Sequence, residues 1–555
     1  MKRFFTMIMT AAALFSAVSC ESFFDTEDVV SKNTANFPAN EEDMVLALNS
    51  VYSGLALKLK GDANWKCTMM FGDFLADSNI PGGGSEDNES RAIAQFMRYG
   101  ENSLSSMWRR LYRGIHRANY FLDHCDQIEW NKENPEKMMG ETYFIRALHY
   151  FDLVRTFENV PVVKSADVDP EIPQSSPDET FSFICSDFVR AIDRLPATPF
   201  SAMPKSELGR ATKWAAEAML ARAYLFYTGV YNQTEIKLDD GSVLDLTRVQ
   251  GYIVDCIENS GHALISDFRN LWPYSFVNED YAYAKDNHLS WIGEEGDNTE
   301  TVFAVKYSAF GKGYVHNPLP QANSMRLQAH IPFGQGNTIS AVNPRFFEEW
   351  PDEDLRKIGS ICDVTDPYEG IKYKWNANGK SGTETGLYNK KYITVNVKGP
   401  NGKPMSYSTF LYGASPKFQE NLTQDLVLMR FADVLLMGAE LQCPNAQQYL
   451  DQVRARVQLP SVPATLENIK NERKYELAFE GVRFYDLMRW HDLDEIDRAK
   501  ANLSVKHRGK DAVLTFKFRP ETRGFFMIPE DEVLLSHGTL KQNAGWDTPE
   551  ANYQR

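Results

Sequence analysis

Apolar residues recur near the helical period in six stretches of the first half of the chain: Glu42 to Leu59, Leu104 to Ile128, Glu136 to Phe157, Pro177 to Leu195, Lys213 to Thr228 and Val249 to Leu264. The same period returns in Leu426 to Leu441, Ala446 to Val457 and Leu466 to Trp490. Two helix starts are marked by chemistry. Ser176-Pro177-Asp178-Glu179 supplies an N-cap hydroxyl, a proline at the first helical position and a capping-box glutamate, and Thr212 caps the run that follows it. Between about 266 and 425 the pattern changes: glycine, proline, asparagine and aromatic residues interleave, and only Thr301 to Tyr307 reads as a strand. A short apolar piece, Phe525 to Ile528, lies near the end. The expected fold is mainly α: tetratricopeptide-like helix pairs over about 41–265 and 426–500, packed with a loop-rich irregular layer that contains short strands. The strict repeat consensus is missing.

The first twenty residues follow a different logic. Lys2 and Arg3 precede an apolar run from Phe4 to Val18, and Ala17-Val18-Ser19 places small residues before Cys20. This is the pattern of a signal peptide over 1–19, cleaved before a cysteine that takes lipid, with 20–40 as a lipidated tether. No later apolar run is long enough to span a bilayer, so lipid on Cys20 is the expected hold on a membrane. The full chain carries a formal charge of −16, two units more negative once Lys2 and Arg3 leave, which disfavours nucleic acid. Cys67, Cys125, Cys185, Cys256, Cys362 and Cys443 are widely spaced and several sit in apolar helical patterns, so free buried thiols are expected rather than a zinc site.

Signatures of phosphate-binding loops, zinc proteases, nucleophile elbows and dinucleotide folds are absent, and no enzyme, cofactor or metal is expected. His149 and His491 read as core histidines, Asp352 with Asp354 as solvated loop carboxylates, and Pro81-Gly82-Gly83-Gly84-Ser85 as a flexible loop tip. Sugars present C–H faces that stack on aromatic rings and hydroxyls that accept and donate to Asp, Asn and Arg, so a glycan site needs both residue kinds together. Two stretches combine them. One holds Asp73, Asp77, Asn79, Asn88 and Arg91; the other holds Tyr307, Phe310, Tyr314, His316 and Asn317.

The run ELAFEGVRFYDLMRW at 476–490, preceded by Asn471-Glu472-Arg473, resembles the SusD/RagB family of outer-membrane nutrient-binding lipoproteins. By spacing alone, Glu480 with Arg483 and Asp486 with Arg489 form i,i+3 pairs beside an apolar face of Leu477, Phe484, Leu487 and Met488. ETYFIRALHYFDLVRTFENVPVV at 141–163, ATKWAAEAMLARAYLFYTG at 211–229, LVLMRFADVLLMGAE at 426–440, YLDQVRARVQLP at 449–460 and FMIPEDEVLLSHGTLKQNAGW at 526–546 are similar to further blocks of that family. The resemblance implies one SusD-like domain over 41–555, exposed on the cell surface. It further implies a SusC-like TonB-dependent transporter as partner, and a glycan ligand, or in some branches a peptide, captured without bond cleavage. It places binding loops near Asp73 to Arg91 and near Tyr307 to Phe333. Asp73, Asp77, Asn79, Arg91, Tyr307, Phe310 and Tyr314 are the ligand-binding candidates. The first loop departs from starch-binding relatives in having no tryptophan between Asp73 and Arg91.

Overall fold

A computed structural model describes residues 37–57, 65–169, 171–294, 296–311 and 315–553. Cys20, most of the 20–40 tether and Tyr314 lie outside the described residues. The helices of the first half are α1 Glu41–Ser53, α2 Thr68–Phe74, α3 Ser105–Cys125, α4 Pro135–Phe157, α5 Pro177–Arg194, α6 Lys213–Tyr231 and α7 Leu246–Asn259; all but α2, which lies outside the six stretches, form where the period places them. The predicted capping box is made in full, the Ser176 hydroxyl accepting from the Glu179 amide at 3.2 Å while Glu179 Oε2 accepts from the Ser176 amide at 2.8 Å. Thr212 caps α6 through the Ala215 amide at 3.1 Å. Each long helix packs on its neighbour in sequence, α3 on α4, α4 on α5, α5 on α6 and α6 on α7, the array expected of successive helix pairs.

The second helical region departs from the reading at two places. Leu426 to Leu441 is not one helix: Leu426–Arg430 is a strand paired antiparallel with Thr301–Val305, and α8 spans only Phe431–Glu440. Leu426, Val427, Leu428 and Met429 form an apolar run whose period is ambiguous, and the free edge of the Thr301–Val305 strand captures it. After α9 Ala446–Arg456, the Leu466–Trp490 run divides into α10 Leu466–Glu476 and α11 Arg483–Arg489. Phe479 and Gly481, at φ +65° and +75°, turn the chain between them. Both glycines at this crossing of α2 are required: a Cβ on Gly481 would sit 2.7 Å from the Met69 carbonyl oxygen, and one on Gly72 would sit 1.9 Å from the Gly481 carbonyl oxygen.

That break redirects the charges. Glu480 does not pair with Arg483; it accepts from Lys391 at 2.6 Å and from Arg430 at 2.6 and 2.7 Å. Arg430 also reaches Glu476 at 2.9 Å, while Arg456 bonds Glu300 at 2.7 and 2.8 Å and Arg356 bonds Glu476 at 3.0 Å. These side chains are buried, so each charge is tolerated only because several opposite partners surround it. The expected Asp486–Arg489 pair forms, at 2.9 Å. Glu300, Lys391 and Arg356 come from the loop-rich middle and Arg430, Glu476 and Glu480 from the C-terminal blocks, so this network ties the irregular layer to the helices.

The architecture is mainly α, with strands confined to pairs and one three-stranded sheet among the described residues. One apolar cluster runs from Met44 to Ala551 and takes in both the helices and the middle layer. All six cysteines after Cys20 are buried and free, as expected. His149 is buried against Gly54 and Gly114, as a core histidine; its Nε2 has no hydrogen-bond partner among the described residues, and burial pulls its pKa down to about 4. His491 is exposed at φ +60°, contrary to the core assignment, because the chain reverses directly after α11. Asp354 is likewise no solvated loop residue: it is buried against Arg356 at 2.8 Å.

Candidate functional site

The first candidate stretch folds inward. Asp73 Oδ2 accepts from the Gly481 amide at 2.9 Å, and burial pushes its carboxyl well above the usual range. Asp77 accepts from Arg483 at 2.9 and 2.8 Å; burial alone would raise its pKa, but the Arg483 charge and hydrogen bonds outweigh it and hold it at about 2. Asn79 donates to the Ser340 hydroxyl at 2.8 Å inside the antiparallel pair Asn79–Pro81 and Ser340–Val342. Arg91 donates to Asn88 Oδ1 at 3.1 Å and to the Gly84 carbonyl at 2.9 Å. All four are buried and turned to protein partners. Sequence spacing could not reveal this, because each partner except Asn88 and Gly84 lies hundreds of residues away.

Arg91 nevertheless points to the site. The carbonyl it holds belongs to the glycine run, which is no flexible tip: Pro81 to Gly84 are buried. Gly82 and Gly83 donate to the Ile339 and Thr338 carbonyls, Gly83 accepts from the Gly382 amide at 2.8 Å, and Gly84 bridges Ser381. A Cβ on Gly82 would fall 2.2 Å from the Thr338 oxygen. Backbone thus packs on backbone, and four chain segments meet: 81–91, 326–340, 373–386 and the hairpin Leu503–His507 with Lys510–Leu514. Arg508 closes the ring through its amide to Gly382 and its guanidinium to the Ser85 carbonyl. Leu327, Thr338, Asn376 and Arg508 all have positive φ between +50° and +56°, a concentration of strain at one locus.

The outer face of this junction carries mixed chemistry. Arg326 and Asp87, one from each predicted loop, stand 3.9 Å apart and partly exposed. Gln328 holds residue 374 by two bonds, 2.7 Å from the Lys374 amide and 2.9 Å to its carbonyl. The next residue, Trp375, is therefore fixed in place and 37% exposed. Tyr373 meets its ring edge-on at 5.1 Å, and Gly386, at φ +77°, lets the indole lie against backbone. Glu384 accepts from the Tyr373 hydroxyl at 2.8 Å and the Asn376 amide at 2.9 Å, locking the turn. Beside Trp375 opens a depression of about 490 Å³, with Thr385, Lys506 and Asp511 on its walls. A rigid aromatic face beside charged and hydroxyl groups is what a sugar ring needs. Trp375, Arg326 and Asp87 are absent from the sequence candidates; the available signal is the mixture Tyr373, Trp375, Asn376, Asn378 and Gly379.

The second candidate stretch divides. Tyr307 is buried, its hydroxyl accepting from the Leu57 amide at 3.4 Å, and Asn317 is buried with its amide on the Gln424 carbonyl at 3.1 Å. Phe310 is 90% exposed in the turn Ala309–Gly311, beside the short helix Tyr407–Tyr412. Phe410 of that helix is 54% exposed, and its ring lies 6.3 Å from Phe276, which in turn lies 6.2 Å from Trp291. Phe310 thus joins a second aromatic surface, separate in its contacts from Trp375. Among the described residues no cluster of three or more His, Cys, Asp or Glu could hold a metal ion.

Comparison with known proteins identifies the family and the fold. A family described as starch-binding and associating with the outer membrane matches residues 23–225, and the SusD family matches residues 273–546. A SusD-like protein P25 of Formosa agariphila is 26% identical over 535 residues, covering 87% of this chain and 89% of that protein. A SusD-like protein of Bacteroides ovatus is 24% identical, covering 88% and 83%. The fold matches that of a laminarin binding SusD-like protein at a TM-score of 0.69 and 23% identity, over 91% of this chain and 99% of that one. It also matches surface glycan-binding protein A from Bacteroides thetaiotaomicron in complex with laminarihexaose, at a TM-score of 0.69 and 19% identity, with the same coverage. With both halves matched in order, the chain belongs to the SusD family.

Proposed function

We propose that this protein binds oligosaccharides at the cell surface without cleaving them, and passes them to a SusC-like TonB-dependent transporter in the outer membrane. The observation that carries the reading is Trp375, half-exposed and immobilised where the two predicted loops meet, with Arg326 and Asp87 in the same junction. The indole would stack on a sugar face. The Arg326–Asp87 pair is long, worth about 0–1 kcal/mol, so the Arg326 guanidinium can turn to hydroxyls at little cost, while Asp87 Oδ2 is held by the Gly84 amide at 2.5 Å and would offer its other oxygen. Phe310, with Tyr314 four residues on, would give a longer chain a second stacking surface. Related structures bear names that specify laminarin and laminarihexaose, which supports a glycan over a peptide. Cys20 would carry the lipid that keeps the protein beside its transporter.

The test is to offer the purified mature chain a polysaccharide digest and a peptide digest in parallel. Selective retention of oligosaccharides, unchanged in length on recovery, is expected. Retention of peptides alone, or release of shortened sugars, would overturn the reading.

A further inference from the structure

On the helical side of the molecule, far in sequence from Trp375, α3 carries a stripe at Arg109, Arg113, His116 and Tyr120, residues that share one face of the helix. One end of the stripe is occupied. Phe37, the first described residue, stacks on the Tyr120 ring at 6.4 Å with 9° between planes, and its carbonyl accepts from the Tyr120 hydroxyl. At the other end the stripe borders an open groove of about 470 Å³, floored by Trp108, Tyr112, Ile115, Leu535 and Leu540. The groove's lining is mostly apolar; Arg109, Arg113 and His116 line it with Asp169, Glu532 and Ser536. Arg109 is engaged by Glu532 at 2.8 Å, but Arg113 has no carboxylate partner among the described residues and is exposed. Leu535, on α12 Glu530–Leu535, is 65% exposed although it lines an apolar groove. An apolar groove that the described residues leave open marks a surface built to be filled.

We infer that the occupant is the protein's own N-terminal tether, through the segment Phe23 to Val30, which lies outside the described residues. Three observations select it. The segment alternates apolar pairs, Phe23-Phe24 and Val29-Val30, with the acids Asp25, Glu27 and Asp28, complementing an apolar floor beside a histidine and an arginine that has no carboxylate partner among the described residues. Its covalent continuation, Phe37, is already seated on the same helix stripe. The reach is sufficient: Tyr120 to Tyr112 is about 12 Å along the helix, whereas the seven residues from Phe37 back to Val30 extend about 23 Å and the thirteen back to Phe24 about 43 Å. Docking is intramolecular, so a weak contact is enough to hold it. Where Cys20 carries lipid, as the proposed function has it, docking leaves only Cys20 to Ser22 free and draws the face formed by α3 and α12 toward the membrane. The tether then sets the orientation of the protein as well as its leash.

The test places p-benzoylphenylalanine at position 24 of the full mature chain, irradiates it, and maps the crosslinks by mass spectrometry. Crosslinks to residues 108–116 or 532–540 are expected. Arg113→Glu combined with Leu535→Glu changes only exposed positions and should reduce their yield at least fivefold with an unchanged melting temperature. Crosslinks spread over other surfaces, or none to the chain, would overturn the inference. So would crosslinks that join an isotope-labelled copy to an unlabelled one, since those assign the groove to a second molecule. Sugar binding is read separately on the same variants and does not depend on the outcome.

Discussion

Asp77 accepts both hydrogen bonds of the Arg483 fork, at 2.9 and 2.8 Å, and so joins the loop after α2 to the start of α11 across about four hundred residues of chain. Both side chains are buried, and Asp73 makes the adjacent link to the Gly481 amide. Asp77→Ala leaves a guanidinium buried without its partner. Chemical denaturation should show a loss of about 3–5 kcal/mol, because the uncompensated charge costs more than the pair contributed. Binding by the remaining folded protein should be unchanged, since Asp77 faces Arg483 and not solvent.

The same carboxylates set the acid limit of stability. Asp77 is held at about 2, and Asp433, Asp486 and Glu476 are also lowered, in each case because neighbouring arginines outweigh burial. A folded pKa below the unfolded value of about 4 stabilises the fold fully above that value, and the contribution is lost as pH falls through the folded pKa. Denaturation midpoints should therefore hold near pH 5 and fall steeply between pH 4 and 2. A flat profile across that window would contradict the paired assignment.

Lys500 carries the opposite sign. Its amine is buried, with the Leu75 and Phe74 carbonyls at 3.2 and 3.4 Å as its hydrogen-bond partners among the described residues. Burial lowers its pKa to about 7, against the opposing pull of Asp77 and Asp497. Below pH 7 it is charged in both states and the folded protein bears the full burial cost. Between 7 and its unfolded value near 10.4 only the unfolded chain keeps the proton, so stability rises with pH. Lys500→Met should stabilise the protein at pH 6 and by clearly less at pH 10, measured by denaturation at both.

Gly72 meets Gly481 backbone to backbone. Gly72→Ala places a methyl 1.9 Å from a carbonyl oxygen that belongs to the turn between α10 and α11. The turn must shift, and with it the Asp73 and Asp77 links. A fall in melting temperature of several degrees is expected, larger than for Gly251→Ala, where a Cβ meets nothing within 4 Å.

How much of this was legible in the chain follows from the range of each signal. Helix period and capping act over a few residues, so α3 to α7 fall within a few residues of their expected limits, and Ser176 and Thr212 cap as read. The Leu466–Trp490 break was hidden because the reason for it, Gly72, lies on another helix. The two candidate stretches read as separate in the chain; the fold brings them together, with Asp87 and Arg326 at their junction, and turns the named polar residues of the first inward. Residue type shows that Asp77 can bind a hydroxyl or an arginine, and only the fold shows that Arg483 is there. Trp375 is absent from the candidates for the converse reason: its exposure depends on Gly386 and Gln328, which the local mixture of aromatic, asparagine and glycine residues around it does not reveal.

The central claim is that a glycan stacks on Trp375 within the loop junction. Calorimetric titration of the mature protein with laminarihexaose and a panel of other oligosaccharides tests it most directly. The account predicts saturable binding to at least one of them, near micromolar or about −8 kcal/mol. Trp375→Ala should weaken it at least tenfold with an unchanged melting temperature, and Arg326→Ala by several fold. Binding that survives Trp375→Ala unaltered while Phe310→Ala abolishes it would move the site to the other aromatic surface, and absence of binding across the panel would contradict the account.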